Sequence, residues 1–349
     1  MFDALTRSGF QIEYVAHAKA ILASDFSDAA TELESALTET SIPIEEIIAG
    51  GAGEAKGTQR LRRALSDRNW LKTTFVIERR INNVPRESQS HEVDHVRNFA
   101  DGSRIALEIE WNNKDPFFDR DLENFKRLHA DGAISVGVIV TRGKSLHDNM
   151  RGLVRRFLDE RHIQGLDDLW QWGYEPTSRQ RAAIERRVQR KRNPLPFREA
   201  FTDKFVADKF GEATTHWRKL EDRVQRGVGN PCPLVLIGMP DSIVTFHEGK
   251  SALAEIEAAK RMATRDRVKG NAAPSPPCGE GVIALATTVE RDRAGARWLA
   301  TTRVQAVSLR STPLIRPAPP AAFPRKGGAP FKRRAAKRSP APEGSWRRR

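Results

Sequence analysis

The amino-acid sequence predicts an α/β protein in which a mixed, partly parallel β-sheet is flanked by helices and followed by a disordered basic C-terminal tail. Three observations predict it. Residues 104–143 read as strand, helix and buried strand in succession, a βαβ unit whose helix covers the sheet. Other short runs alternate apolar and polar residues with the two-residue period of a half-buried strand. From residue 269 onward the chain holds 11 of its 20 prolines, a composition that buries too little apolar surface to offset chain entropy. The expected boundaries are a folded domain over 1–268 and a Pro-rich tail over 269–349.

Along the chain, "ATELESALTET" (30–40) and "EAKGTQRLRRALSDRNW" (54–70) have helical spacing, the second placing Leu61 and Leu65 one turn apart and ending near Asn69. In "TTFVIERRI" (73–81), Phe75, Ile77 and Arg79 alternate with Val76 and Glu78, which predicts a strand. "SHEVDHVRNFADGSR" (90–104) reads as another strand ending in a turn at Ala-Asp-Gly, and "IALEIEW" (105–111) alternates again. In "DPFFDRDLENFKRLHADG" (115–132), Phe118, Leu122 and Phe125 recur at helical spacing, with Asp115 to cap, Pro116 at the first helical position and Gly132 to close. "AISVGVIVT" (133–141) is an unbroken apolar run, the pattern of a strand covered on both faces, and "PCPLVLIGMP" (231–240) offers another short buried strand.

Charge says less than its total suggests. The 349 residues include 59 Lys+Arg and 45 Asp+Glu, a net of +14, but the region from 269 has 17 against 4 and residues 1–268 have 42 against 41. A basic tail of this kind adds weak, salt-sensitive attraction to DNA, or has no essential role. Two cysteines, Cys232 and Cys278, are too few for a disulfide framework, and no Cys/His cluster has structural-zinc spacing. No run approaches the roughly 18 apolar residues of a membrane span, and the N-terminus lacks the basic and apolar regions of an export signal. A soluble, cytoplasmic protein is expected.

The chemistry concentrates between residues 90 and 111. In "IALEIEW" the strand period sets Ile105, Leu107, Ile109 and Trp111 on one face and Ala106, Glu108 and Glu110 on the other. Two carboxylates then project side by side roughly 7 Å apart, which fits either a solvated face or a cation site, because buried unpaired charge is costly. The preceding strand and turn double the chain back and bring Asp94 beside Glu108. Three hard oxygen donors suit Mg²⁺ rather than zinc. Asp101, the competing acid, falls in the turn, where aspartate has an ordinary structural use. The same stretch contains His91-Glu92-x-x-His95, the spacing of zinc peptidases. That motif needs a helix, whereas Asn82, Asn83 and Pro85 precede it and a turn follows. On a strand the two histidines stand about 13 Å apart, too far to share an ion, so the zinc peptidase is a remote alternative.

These stretches, together with "GEAKGTQRLRRAL" and "CPLVLIGMP", resemble the type II restriction endonucleases of the BglII and BstYI kind, within the PD-(D/E)xK nuclease superfamily. The resemblance covers roughly residues 10 to 250 in order. It implies a restriction-endonuclease-like sheet flanked by helices and Mg²⁺-dependent hydrolysis of both strands of duplex DNA by a homodimer at a palindromic site. Relatives centre on GATC and leave 5′ overhangs with 5′-phosphate ends, and a companion DNA methyltransferase protects the host's own sites.

By the family pattern Asp94 and Glu108 bind Mg²⁺ with the main-chain carbonyl of Ile109. Glu110 takes the position of the superfamily's usual lysine, where it orients or deprotonates the attacking water or completes a second metal site. A polar residue from a nearby helix also faces the cluster: Glu54 or Gln59, with Glu54 favoured because a carboxylate can bind metal. The bland reading of Glu54 is a favourable charge in a helix's first turn. For DNA contact the candidates are Asn112, Asn113 and Lys114 in "WNNKDP" and Thr141, Arg142 and Lys144 in "TRGKS", although ordinary loop and capping roles fit each of them. His216, Lys219 and Arg223 in "TTHWRKLEDRVQRG" share near-helical spacing, consistent with a solvated face, a dimer contact or a phosphate contact. The competing class is a DNA-binding protein that has lost catalysis, against which the intact acids argue.

Overall fold

The computed structural model describes residues 1–49, 55–247, 281–291 and 298–307. In chain order the elements are α1 (Asp3–Arg7), β1 (Gln11–Val15), α2 (Ala18–Asp25), α3 (Ser27–Thr38), β2 (Ile42–Pro43), α4 (Ile44–Ala49), α5 (Lys56–Ser66), β3 (Trp70–Ile81), β4 (Val84–Asn98) and β5 (Arg104–Glu110). There follow α6 (Phe117–Ala130), β6 (Val136–Arg142), α7 (Lys144–Glu160), α8 (Ser178–Val188), α9 (Phe197–Phe210), α10 (Trp217–Gln225), β7 (Leu234–Met239), β8 (Val244–Thr245), β9 (Gly281–Arg291) and β10 (Trp298–Val307). The described residues all fall in one compact unit, Met1–Leu309. None of the described helices is long and apolar enough to cross a membrane.

The main sheet runs β1-β7-β6-β5-β4-β3-β9-β10. Its centre is parallel, with β5 on β6 and β6 on β7, while β4 pairs antiparallel with β5 and β1 with β7. This is the mixed sheet the βαβ unit predicts. The strand period sorts β5 between two apolar layers. Ile105, Leu107 and Ile109 join the layer built with α3, α4, α5, α7 and α9. Ala106 joins the opposite layer, with Phe118, Leu122, Phe125 and Leu128 of α6 and Leu220 and Val224 of α10. The four α6 side chains are completely buried, each worth about 1.5–3 kcal/mol in removed apolar surface. Gly137 of β6 lets α6 sit this close: a Cβ there would lie 2.5 Å from Cδ2 of Phe125.

Two local features differ from expectation. Helix α6 begins at Phe117 with Pro116 at its N-cap, and Asp115 does not cap it; the Asp115 carboxylate instead meets Arg223 at 3.3 Å, tying α6 to α10. The "INNVP" stretch is the two-residue hairpin turn between β3 and β4, with Asn82 and Asn83 at φ 52 and 63, the left-handed region that asparagine tolerates.

The expectation for residues 269–349 falls outside the described residues except at β9 and β10. These two strands pair antiparallel with each other, and β9 runs parallel to β3, from Thr73↔Gly281 to Ile81↔Val289. Composition taken over the whole tail does not place them.

Candidate active site

The geometry around β4 and β5 brings the predicted acids together. The β4–β5 ladder ends at His95↔Leu107, and the next residues along, Asp94 and Glu108, interact there, the Asp94 backbone hydrogen-bonding the Glu108 carboxyl. On its other edge β4 is irregular: Leu71 faces Val96 and Thr73 faces Val93, so the single residue Lys72 stands against both Asp94 and His95. Such a bulge re-aims side chains. Here it turns Asp94 to the Glu108 side while His95 stays buried on the opposite face, opposite Leu107. The His-Glu-x-x-His string therefore lies inside a strand, and the helical zinc-peptidase arrangement is absent. Asp101 accepts from the Ser103 N–H at 2.9 Å and from its hydroxyl at 2.6 Å, a turn-forming role.

Glu108 and Glu110 are almost fully buried, at 6 % and 2 % exposure, whereas Asp94 is exposed at the rim. Beneath them lies an acid that sequence reasoning missed. Asp121 of α6 is 1 % exposed, and its Oδ1 accepts from Nε of Arg120 at 2.8 Å. Its buried Oδ2 has no hydrogen-bond partner among the described residues. The Asp121 carboxyl meets that of Glu110, whose Oε2 accepts from Nδ2 of Asn113 at 2.8 Å and whose Oε1 lies 3.7 Å from Arg120. The available signal was position: Asp121 sits three residues after Phe118 and four before Phe125, on the apolar stripe of the helix, where an acid is out of place.

Burial sets the electrostatics. It pushes Glu108 well above the ordinary carboxylate range, with Asp121 and Asp94 adding repulsion and Arg120 partly opposing. It raises Glu110 to about 8, again with Asp121 as the next contributor. Asp121 is raised by burial against the pull of Arg120. Four carboxyls thus lie in one another's field with one guanidinium. Oxygen donors of this kind suit a hard divalent cation, although no three of them have ligand atoms as close together as those of His147, Glu212 and His216.

The remaining predicted residues separate into two groups. Asn112, Asn113 and Lys114 are exposed beside the acids, in a loop fixed by Thr215 N–H donating to the Asn113 carbonyl at 2.8 Å and Asp115 N–H to that of Ala213 at 3.1 Å. Lys144 is partly exposed and pairs with Glu221 at 3.2 Å. Thr141 and Arg142 are fully buried, which corrects the expectation that they reach DNA. The Thr141 hydroxyl donates to the Glu110 carbonyl at 2.7 Å. Arg142 donates to the carbonyls of Trp111 and Thr215 and the hydroxyl of Thr214, each at 2.7 Å. Both hold the ends of the strands and loops that carry the site. His216 and Arg223 likewise face inward, Arg223 pairing with Asp119 at 2.9 Å, so they are not a solvated face. Gln59 lies on α5, and Glu54 lies outside the described residues.

A second group with metal-ligating atoms, His147, Glu212 and His216, has those atoms within 4.8 Å of one another. The two rings are stacked, 3.9 Å between centroids and 14° between planes, so no nearby point lies in both ring planes. One ring would have to turn before both nitrogens could address one ion. Burial lowers both histidines, His216 to about 4, and Glu212 bridges them at 3.3 and 3.5 Å.

A mixed sheet between helical layers, with an acid inside one long strand and Glu-x-Glu on the neighbouring strand, defines a nuclease of the restriction-endonuclease type. The chain belongs to the BglII/BglIII restriction endonuclease family: the model for "Restriction endonuclease BglII/BglIII" matches residues 10–239. It is a type II restriction endonuclease, a hydrolase acting on duplex DNA, and enzymes of this family are generally metal-dependent. No curated protein matches the chain.

Proposed function

We propose that this endonuclease uses Mg²⁺ to cut both strands of a palindromic, GATC-centred site as a homodimer, leaving 5′-phosphate ends. The observation that supports the reading is the meeting of Asp94 with buried Glu108 just past the end of the β4–β5 ladder, with Glu110 two residues on along the same strand. Asp94, Glu108 and the main-chain carbonyl of Ile109 would hold the cation. When bound, the cation lowers the pKa of water and neutralises charge growing on the leaving 3′ oxygen.

The protein's own groups do the rest. Exposed Asp94 marks the open side, where a phosphate arrives. Asn113 holds Oε2 of Glu110, which leaves Oε1 to take the proton of the attacking water. A carboxyl raised to about 8 by burial suits that task, because a general base works best when its pKa lies near the working pH. Arg120, beside both Glu110 and Asp121, supplies a fixed positive charge. Asn112, Asn113 and Lys114 leave the catalytic strand directly and are placed to contact base edges or phosphate, with Lys144 next to them in function. Residues 1–268 carry catalysis and DNA binding, and the basic region from 269 adds salt-sensitive attraction. A methyltransferase acting in the same cytoplasm protects host sites.

The test is digestion of a fully sequenced, unmethylated plasmid in Mg²⁺, followed by sequencing of the fragment ends. Discrete cuts at GATC-containing palindromes are expected. Intact plasmid across a range of salt and pH, with specific DNA binding retained, would favour a DNA-binding protein without catalysis.

A further inference from the structure

We propose that Asp121 and Glu110 form a second divalent-cation position beside that of Asp94 and Glu108, making Asp121 a metal ligand of a two-cation centre. The inference rests on the reading of Asp94 and Glu108 as the first position. Asp121 stands on the apolar stripe of α6, between Phe118 and Phe125, where a leucine would pack without penalty. Its buried Oδ2 accepts from no amide, guanidinium or hydroxyl donor of the described residues, so in the metal-free protein a proton shared with the Glu110 carboxyl is what satisfies it. The carboxyl touches that of Glu110, which is equally enclosed. Arg120 brings one positive charge for the pair. It binds Oδ1 of Asp121 at 2.8 Å but only approaches Glu110, at 3.7 Å, and its own side chain is 54 % exposed.

A carboxyl pair beneath a metal site that is held together by a shared proton offers that proton's place to a cation. An all-oxygen pair suits Mg²⁺ or Mn²⁺, hard cations that favour carboxylates over histidine-rich sets. In two-cation phosphodiesterases one ion faces the attacking oxygen and the other the leaving oxygen. As a ligand Glu110 would set the second position on the attacking side, and lowering the pKa of water there would replace its own role as the base.

The test uses metal-free, full-length protein without DNA, titrated with Mn²⁺ and followed by electron paramagnetic resonance for bound ions and by the thermal midpoint. Wild type should bind two ions per chain and gain stability. Asp121→Asn should bind one, gain less from Mn²⁺, and start from a metal-free midpoint no lower than wild type. Asp121→Glu should restore the second ion with weaker affinity, and Asp121→Ser stands in if the asparagine variant folds poorly. In cleavage, Asp121→Asn should raise the Mg²⁺ concentration for half-maximal rate about tenfold. Glu108→Gln should lose the other ion. Unchanged ion count and Mg²⁺ midpoint in Asp121→Asn, with an ion lost in Glu108→Gln, overturns the second position and leaves the first standing. A lowered metal-free midpoint with unchanged ion count marks Asp121 as a mere anchor for Arg120 and overturns it as well. Wild-type binding by Glu108→Gln removes the first position, and the second falls with it.

Discussion

Replacing Glu110 by glutamine should stabilise the metal-free protein at alkaline pH. The Glu110 carboxyl is raised from 4.5 to about 8, chiefly by burial and next by Asp121. In the folded state it therefore keeps its proton to about pH 8, whereas the unfolded chain releases it near 4.5. Between those values the unfolded state binds fewer protons, so stability falls as pH rises through the window. The full difference corresponds to at most about 5 kcal/mol. Because Asp121 shares the same proton, the part belonging to Glu110 alone is smaller. Glutamine preserves the acceptor for Nδ2 of Asn113 and removes the charge. The assay is urea unfolding with a chelator present, from pH 5 to 8.5. Wild type should lose stability across this range with a slope of up to about 1.4 kcal/mol per pH unit for each proton involved. The variant should run flatter by about one proton, converge with wild type near pH 5 and exceed it at pH 8. Parallel profiles, or a variant less stable at pH 8, would refute the claim that the site is built from carboxyls held under electrostatic stress.

Other consequences follow from the same geometry. Arg142→Met should cost about 3–5 kcal/mol, because it strips donors from the buried carbonyls of Trp111 and Thr215, and chemical denaturation will read the loss. Asp101→Ala should leave the cleavage rate within about twofold of wild type, since its bonds stay within its own turn; a large loss would make it a ligand in place of Asp94. Removing residues 310–349, which hold 12 Lys+Arg and one Asp+Glu, should keep cleavage yet flatten the dependence of DNA affinity on salt, measured by fluorescence anisotropy.

Much of the fold was legible because period and length agree. The run "AISVGVIVT" has no polar interruption and becomes a strand covered on both faces, and α6 announces itself through Phe118, Leu122 and Phe125. The closeness of Asp94 to Glu108 was legible too, since a turn at Ala-Asp-Gly limits which residues of the flanking strands can meet. Other features needed three dimensions. Asp121 is one acid in a helix already rich in acids, and only its side of the helix marks it. Arg142 looked like a DNA contact because it follows a strand end in a polar loop, but the backbone carbonyls around it claim its donors. Strands β9 and β10 were hidden by averaging, as their Val-, Ile- and Thr-rich runs lie within a region dominated by proline and arginine.

The most direct measurement of the central claim pairs cleavage with binding on one duplex. Asp94→Ala and Glu108→Ala are each incubated with the cleaved sequence in Mg²⁺, and strand scission and affinity are recorded for the same samples. Asp94 on β4 and Glu108 on β5 should be dispensable for binding and indispensable for chemistry: scission falls at least about a thousandfold while affinity stays within about tenfold. Scission that survives in both variants at near wild-type rate would place the chemistry elsewhere in the protein.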